Sequence, residues 1–239
     1  MWYNLCGGSA MRKIEAFARR LIKRFTKRFS IVMKSGALKG MRIVAVAGPK
    51  FQHDRYEPEF FRAFIENLKE GMVVYDVGAH WGYYTLVASR VVGDTGRVIA
   101  FEPNHENIQI LRRNIQYNNI KNIECLEIAV GDLCGKVSFD PGADTGLGKI
   151  STAGKIQVEC RTLDSLMDSL PKPQLIKIDV EGAEAAVIRG ASRLIAEIRP
   201  VLFIEMHGAQ EFAECHQILS LQGYSLVELQ GKQRVMYRP

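Results

Sequence analysis

The sequence predicts an α/β protein built on a doubly wound, mostly parallel sheet. Three observations carry that prediction. From Gly71 onward, short apolar β-branched runs alternate with amphipathic stretches long enough for helices, the pattern of strand–helix–strand units. Five acids, Asp76, Glu102, Asp132, Asp179 and Glu205, fall at or near the ends of successive apolar runs. An open sheet of this kind binds its ligand at the carboxyl ends of its strands. Finally, the last two apolar runs have no helix between them, so they must form an antiparallel hairpin at one edge.

The elements follow in order. Residues 11–35 form a basic amphipathic helix, with Ile14, Phe17, Ala18, Leu21, Phe25, Phe29 and Val32 on one face. "MRIVAVAG" is a short strand stopped by Gly48-Pro49, and "YEPEFFRAFIENL" a helix with Pro58 in its first turn. "MVVYDV" is a strand, "WGYYTLVASRVV" a helix and "RVIAFEP" a strand. "NHENIQILRRNIQYNN" is a helix capped by Asn104, followed by "IECLEIAVGD" as one strand. A polar section over residues 135–155 reads as a hairpin or surface excursion. "KIQVECRTLDSLM" is a strand and short helix, "PQLIKIDVEG" a buried strand, and "AEAAVIRGASRLIAEI" one helix. "RPVLFIEMH" is a strand, "AQEFAECHQILSLQ" a helix, and "YSLVEL" and "RVMYR" the closing hairpin.

Composition divides the chain in two: an arm over residues 1–40 and a domain over 41–239. The net charge is +6, yet residues 11–40 hold ten Lys/Arg and one acid, leaving the remainder acidic. Three readings of the arm stand open: it lies on an anionic membrane surface, it binds nucleic acid, or it packs on the domain and solvates its charges. Nucleic acid is disfavoured, because the body lacks a basic, aromatic-interleaved stripe. The five cysteines, Cys6, Cys125, Cys134, Cys160 and Cys215, are scattered and form no Cys-x-x-Cys. They read as reduced thiols of a cytoplasmic protein. No apolar run is long enough to span a bilayer, and the first residues lead into charge, so neither a transmembrane helix nor a secretory signal is expected. Attachment to the inner membrane surface would be peripheral, through residues 11–35.

The informative stretch is "VVYDVGAHWGYYT", residues 73–85. Gly78 permits a tight turn and close backbone approach, and Gly82 falls in the first helical turn. This is G-x-x-x-G, without the extra glycine that brings backbone amides onto a pyrophosphate. Asp76 beside it would repel a diphosphate. A ligand with a cationic end and a nucleoside fits better. S-adenosylmethionine brings a sulfonium and an ammonium to Asp76 and a carboxylate to the helix N-terminus. Its ribose needs an acid at the next strand end, and Glu102 in "IAFEPN" stands there.

These motifs resemble the FkbM-type S-adenosylmethionine-dependent methyltransferases. The residues that carry the resemblance are "YDVGAHWGYYT", "GRVIAFEPNHENIQILRRNI", "AVGD", "RTLDSL", "IKIDVEGAE" and "PVLFIEMH", in order over about residues 56–207. It implies a class I methyltransferase fold, Rossmann-like, with seven strands of which the last is antiparallel. It also implies methyl transfer, usually to an oxygen of a sugar or natural product. Carried over by position, Asp76, Gly78, His80, Gly82, Tyr84 and Thr85 line the methionine end. Glu102 holds the ribose, Pro103 and Asn104 shape its wall, and Asp132 lies near the adenine. Glu57, in "YE", either closes over the cofactor or meets the dipole of its helix.

Methyl transfer from sulfonium aligns acceptor, methyl and sulfur, and a sugar hydroxyl must give up its proton. In "KIDVEG", Lys177, Asp179 and Glu181 share one side of the strand end. Asp179 is the first candidate for that role, Glu181 the second, and His207, with Glu205, the third. These acids and the histidine could hold a divalent ion, but no tight ligand motif is present and no metal is expected. No Asn-Pro-Pro-Tyr-like turn stands where "DVEG" does, which argues against methylation of base amines. Two rivals remain: an NAD-dependent oxidoreductase of the same topology, and a membrane-associated module that binds cofactor without turnover. The acceptor, a small molecule or glycan, would meet residues 48–60, 140–155 and 207–212, where loops carry specificity.

Overall fold

A computed structural model describes residues 29–51, 57–142, 148–150, 154–230 and 233–239. Its main sheet has seven strands: β3 (Val73–Val77), β4 (Arg97–Phe101), β5 (Ile123–Leu126), β10 (Leu175–Ile178), β11 (Val201–Glu205), β12 (Ser225–Gln230) and β13 (Arg234–Arg238). The order is β12-β13-β11-β10-β3-β4-β5. β3, β4, β5, β10 and β11 run parallel, while β13 lies antiparallel between β11 and β12. The closing hairpin therefore inserts its second strand into the sheet and leaves its first at the edge. The strand order turns back between β3 and β10, the switch point at which open α/β sheets bind ligands.

Helices cover both faces: α1 (Pro58–Glu66), α2 (Tyr83–Val92), α3 (His105–Tyr117), α4 (Leu163–Leu166), α5 (Glu184–Arg189), α6 (Ser192–Ile198) and α7 (Ala209–Leu221). Alternation along the strands sends side chains to two cores. Val74 and Phe203 join Phe60, Phe64 and Leu86 on one face, and Tyr75, Ile176 and Ile204 join Ile188 and Leu219 on the other. On the first face Phe60 and Phe64 meet Phe203 edge-on, with ring centroids 5.5 and 5.6 Å apart. Each such fully buried side chain contributes roughly 1.5–3 kcal/mol.

Four sequence expectations change. The strand expected from residue 41 is only β2 (Arg42–Val44), which pairs with β1 (Ser30–Val32) before the chain tightens into a 3-10 turn at Ala45–Lys50. The apolar face assigned to the arm helix included Val32, which is strand; residues 11–28 of that helix lie outside the described residues. "IECLEIAVGD" divides into β5 and β6 (Ala129–Val130), because Ala129 and Val130 pair with β9 (Ile156–Arg161) instead of continuing the main sheet. With β7 (Gly135–Asp140) and β8 (Lys149–Ile150) they form a second sheet, ordered β6-β9-β7-β8, in which β7 and β8 pair antiparallel as the hairpin that was one of the two readings of residues 135–155. The helix expected over 183–198 breaks at Gly190, which packs so close to the Gly131 carbonyl that an added Cβ would lie 1.9 Å from its oxygen.

Candidate active site

A cavity of about 280 Å³ opens at the carboxyl ends of β3, β4, β10 and β11. Neighbouring parallel strands set its polar row. Asp76 stands directly opposite Lys177, Lys177 opposite Phe203, and Glu205 opposite Arg234. Residues two apart on a strand share a face, and the row extends from Lys177 to Asp179 and from Phe203 to Glu205. The sheet thus carries alternating charge across its ligand edge.

At one end of the row, Asp76 is almost wholly buried. Its Oδ2 accepts from the Thr85 hydroxyl at 2.5 Å, while Oδ1 has no hydrogen-bond partner among the described residues and lies 3.8 Å from Lys177 Nζ. Burial holds the Asp76 carboxyl above the usual range, against the opposing pull of Lys177 and Thr85. Lys177 is equally buried: Nζ donates to Asp179 Oδ2 at 3.1 Å and sits 4.7 Å from the Tyr84 ring centroid. Burial pulls the ammonium down, but Asp179 and Asp76 outweigh it and leave its pKa above the ordinary value. Asp76 Oδ1 is thus a buried acceptor aimed at the cavity with a hydrogen bond to spare, as an incoming ammonium requires.

Glu102 follows β4 and is held by the chain around it. Its Oε2 accepts from the His80 amide at 2.7 Å, and Oε1 accepts from the Asn104 amide at 2.8 Å and the Asn107 amide group at 3.4 Å. Burial pushes the carboxyl up to about 7 despite those bonds. A carboxylate has about four acceptor sites, so room remains for a diol. Asn104 caps α3 through its side chain, accepting from the Glu106 and Asn107 amides. Pro103 and His80 complete this wall.

Two glycines are required for different reasons. Gly78 has φ +83°, and a Cβ there would lie 1.8 Å from the Asp179 carbonyl oxygen, so β3 and β10 can close on each other only over glycine. Gly82, φ +90°, precedes α2 at its N-cap position, and a Cβ would lie 2.2 Å from Leu111 Cδ1. Its role is to let α3 pack; it does not line the cavity.

At the other end, Asp179, Glu181 and His207 gather from the loops after β10 and β11. His207 Nε2 lies 3.9 Å from Asp179 Oδ1 and 3.5 Å from Glu181 Oε2, and Nδ1 lies 2.9 Å from Glu184 Oε1. The hydrogen bond to Glu184, with Asp179 and Glu181 adding, pushes the imidazole up to about 9 against its burial. Beside them Glu205 Oε1 accepts from Arg234 at 2.6 Å, and Arg234 reaches Glu57 Oε1 at 3.3 Å. Burial, then the Asp179 and Glu57 carboxylates, push Glu205 up to about 7. Glu57 also accepts from the Tyr84 hydroxyl at 2.7 Å, tying the start of α1 to α2.

Of the residues singled out in the sequence, Asp76, Gly78, His80, Tyr84, Glu102, Pro103, Glu57, Asp179, Glu181 and His207 line the cavity. Thr85 and Asn104 stand behind it, supporting Asp76 and Glu102. Asp132 is elsewhere: it is paired with Arg189 at 2.8 Å and is absent from the lining. Ile128, Ala129, Val130 and Phe139 of the second sheet supply wall in that direction instead. Sequence reasoning passed over Lys177 as a site residue, Glu184 and Arg234. Lys177 had a signal, a lone charge inside the apolar run "LIKI". Arg234 had none, since its partner Glu205 comes from a strand 29 residues away.

Residues 76–226 match the methyltransferase FkbM domain. The hexuronic acid methyltransferase AglP of Haloferax volcanii is 27% identical over 207 residues, 80% of this chain and 84% of AglP. Among solved structures, methyltransferase FkbM from Methylobacillus flagellatus aligns with a TM-score of 0.55 at 19% identity, over 98% of this chain and 60% of that one. An rRNA methylase from Streptococcus thermophilus aligns with a TM-score of 0.50 at 11% identity, over 76% of this chain and 95% of that one. At such identities the structures speak to the fold alone, and this chain spans about 60% of the length of the M. flagellatus protein.

Proposed function

The chain belongs to the FkbM methyltransferase family, with the class I methyltransferase fold and S-adenosylmethionine as cofactor, and from that premise we propose that it methylates a hydroxyl oxygen of a sugar on a glycan, glycolipid or natural product. The observation that carries this reading is the division of one cavity between two polar ends. Asp76 and Glu102 suit the ammonium and ribose of the cofactor, and Asp179, Glu181, Glu205 and His207 suit an acceptor hydroxyl. AglP, a hexuronic acid methyltransferase, adds support for a sugar acceptor.

In this reading the cofactor supplies an electrophilic methyl on sulfonium. Asp76 holds the ammonium, Glu102 the ribose diol, and Phe139 with its neighbours the apolar wall. Asp179 and Glu205 end adjacent strands, so one carboxylate holds the acceptor hydroxyl and the other takes its proton. With the cofactor bound, its sulfonium methyl would be the electrophile for that oxygen and sulfur would keep the carbon–sulfur electron pair, giving S-adenosylhomocysteine. Alignment is the main contribution of such a site, since an oriented pair avoids most of the entropic cost of meeting. Lys177 holds Asp179 in place while its own charge is matched by Asp76.

The test is incubation with S-adenosylmethionine and a panel of uronic acid and neutral glycosides, reading S-adenosylhomocysteine by mass spectrometry and the methylated atom by NMR. O-methyl sugar is the expected product. Methyl appearing only on nitrogen or carbon acceptors, or calorimetric binding of NADH in place of S-adenosylmethionine, would overturn the reading.

A further inference from the structure

Asp179, Glu181 and His207 present one ligand atom each, all within 4.8 Å of one another, and all three line the cavity. The separations are informative. At 3.5 and 3.9 Å from the carboxylate oxygens, His207 Nε2 is beyond hydrogen-bond distance of both. Around a small divalent ion, bonds of about 2.1 Å put neighbouring ligand atoms roughly 3 Å apart and opposite ones roughly 4.2 Å apart. The two His207 distances fall between those values and the third pair lies within 4.8 Å, so small side-chain movements close the three atoms on one ion.

A second observation is independent of that spacing. Glu184 is wholly buried, bonds His207 Nδ1 through Oε1, and leaves Oε2 without a partner among the described residues. A buried carboxylate on the outer nitrogen orients the ring with Nε2 toward the two carboxylates, and strengthens Nε2 as a ligand once a cation has displaced its proton. This is the second-shell arrangement of metal-bound histidines. Oε1 also accepts the Gly182 amide at 3.0 Å and so holds the turn before α5, but that bond does nothing for Oε2, and burying a half-satisfied carboxylate is costly.

We propose that Asp179, Glu181 and His207 bind one divalent first-row cation of the Mn²⁺ type, which carries the acceptor's hydroxyl oxygen. Two carboxylates and one imidazole suit such an ion better than Ca²⁺, which takes 6–8 oxygens. The cavity side stays open for the acceptor and water. The inference rests on methyl transfer as the reaction and adds how the hydroxyl is activated. The ion polarises the O–H bond, and the proton passes to Glu205, the carboxylate the ion leaves free. The oxygen takes the methyl, the carbon–sulfur electron pair goes to sulfur, and the ion keeps its charge.

The experiment is Mn²⁺ titration of chelator-stripped protein at pH 7.5, with free Mn²⁺ read by electron paramagnetic resonance. One Mn²⁺ should bind per chain. Affinity should fall about 10- to 100-fold in Glu184→Gln, a change in the outer shell, and further in Glu181→Gln and His207→Ala. Circular dichroism identifies the folded variants. Glu181→Gln alters a partly exposed turn residue and keeps the test in force if His207→Ala does not fold. No binding to the wild type at millimolar Mn²⁺, or equal binding by wild type and Glu181→Gln, overturns the site. Calorimetry with S-adenosylmethionine on the same stripped protein separates the two readings. Cofactor binding without Mn²⁺ binding removes the ion and keeps methyl transfer; Mn²⁺ binding without cofactor binding does the reverse.

Discussion

Glu102 gives the most quantitative prediction, because under its proposed assignment to the ribose its proton and the cofactor compete for one carboxylate. In the free protein burial sets its pKa at about 7. A ribose diol donates two hydrogen bonds and needs the ionised form. Apparent affinity for S-adenosylmethionine should therefore be full above about pH 8 and fall below pH 7. It should weaken about 11-fold at pH 6 and about 100-fold at pH 5, by linkage to one proton. Stability has its own sign. A folded pKa raised above the unfolded 4.5 contributes stability that is complete below about pH 4.5 and lost as pH rises through about 7. The unliganded protein should thus gain most in thermal midpoint from cofactor on the alkaline side. Glu102→Gln keeps the shape and removes the charge. A hydrogen bond to a charged acceptor contributes about 1.5–3 kcal/mol, so this variant should bind roughly ten- to a hundredfold more weakly at pH 8 and show a much flatter pH curve. Isothermal titration calorimetry from pH 5.5 to 8 reads both effects. A wild-type affinity constant across that range, or a Glu102→Gln curve parallel to it, would refute the assignment of Glu102 to the ribose.

Three further outcomes are expected. Asp179→Asn should keep cofactor affinity within a few-fold and lower turnover by about 10²–10⁴; a folded variant with wild-type turnover, measured as S-adenosylhomocysteine release, removes Asp179 from the mechanism. Lys177→Met leaves Asp76 and Asp179 facing each other without their shared cation. Breaking such a buried pair costs about 3–5 kcal/mol, so urea denaturation should show a clearly lowered midpoint, and coincident curves would mean the pair is not coupled. Phe29, Ile31 and Val32 are exposed where the chain leaves the basic arm. The full chain should co-sediment with anionic vesicles, lose that binding at high salt and lose it on removal of residues 1–28; indifference to lipid charge would return the arm to packing on the domain.

The fold was legible where one physical rule governed a segment. β3, β10 and β11 are buried on both faces and read as apolar runs broken only by Asp76 and Lys177 and closed by Glu205; α3 has a cap and a clean amphipathic period. The failures share a cause. Ala129 and Val130 carry strand propensity in "IECLEIAVGD", but propensity does not name a partner, and their partner is Cys160–Arg161 in a different sheet. Likewise Gly190 looks like a tolerated helix residue until Gly131 is brought against it. Both depend on chain segments about 30 and 60 residues away, which local pattern cannot see.

The candidate site divides along the same line, and the division explains what kind of residue sequence reasoning can find. Acids at strand ends are readable because topology alone sends every parallel strand's carboxyl end to one edge. Asp76, Glu102, Asp179 and Glu205 reach the cavity for that reason. Asp132 was assigned by the same logic and is not in the lining, because the strand it was thought to end belongs to the second sheet, and its carboxylate turns to Arg189 on α5. The residues that tune the acids are not at strand ends. Lys177 lies within a strand, Glu184 opens a helix, and Arg234 begins an antiparallel strand. The two cations acquire their partners through register, Lys177 opposite Asp76 and Arg234 opposite Glu205, while Glu184 reaches His207 by the packing of its helix. A row of acids this dense could not stay ionised without them, since like charges across a low-dielectric cleft disfavour one another. The counter-ions therefore follow from the acids as a physical necessity, even though their positions do not follow from the sequence.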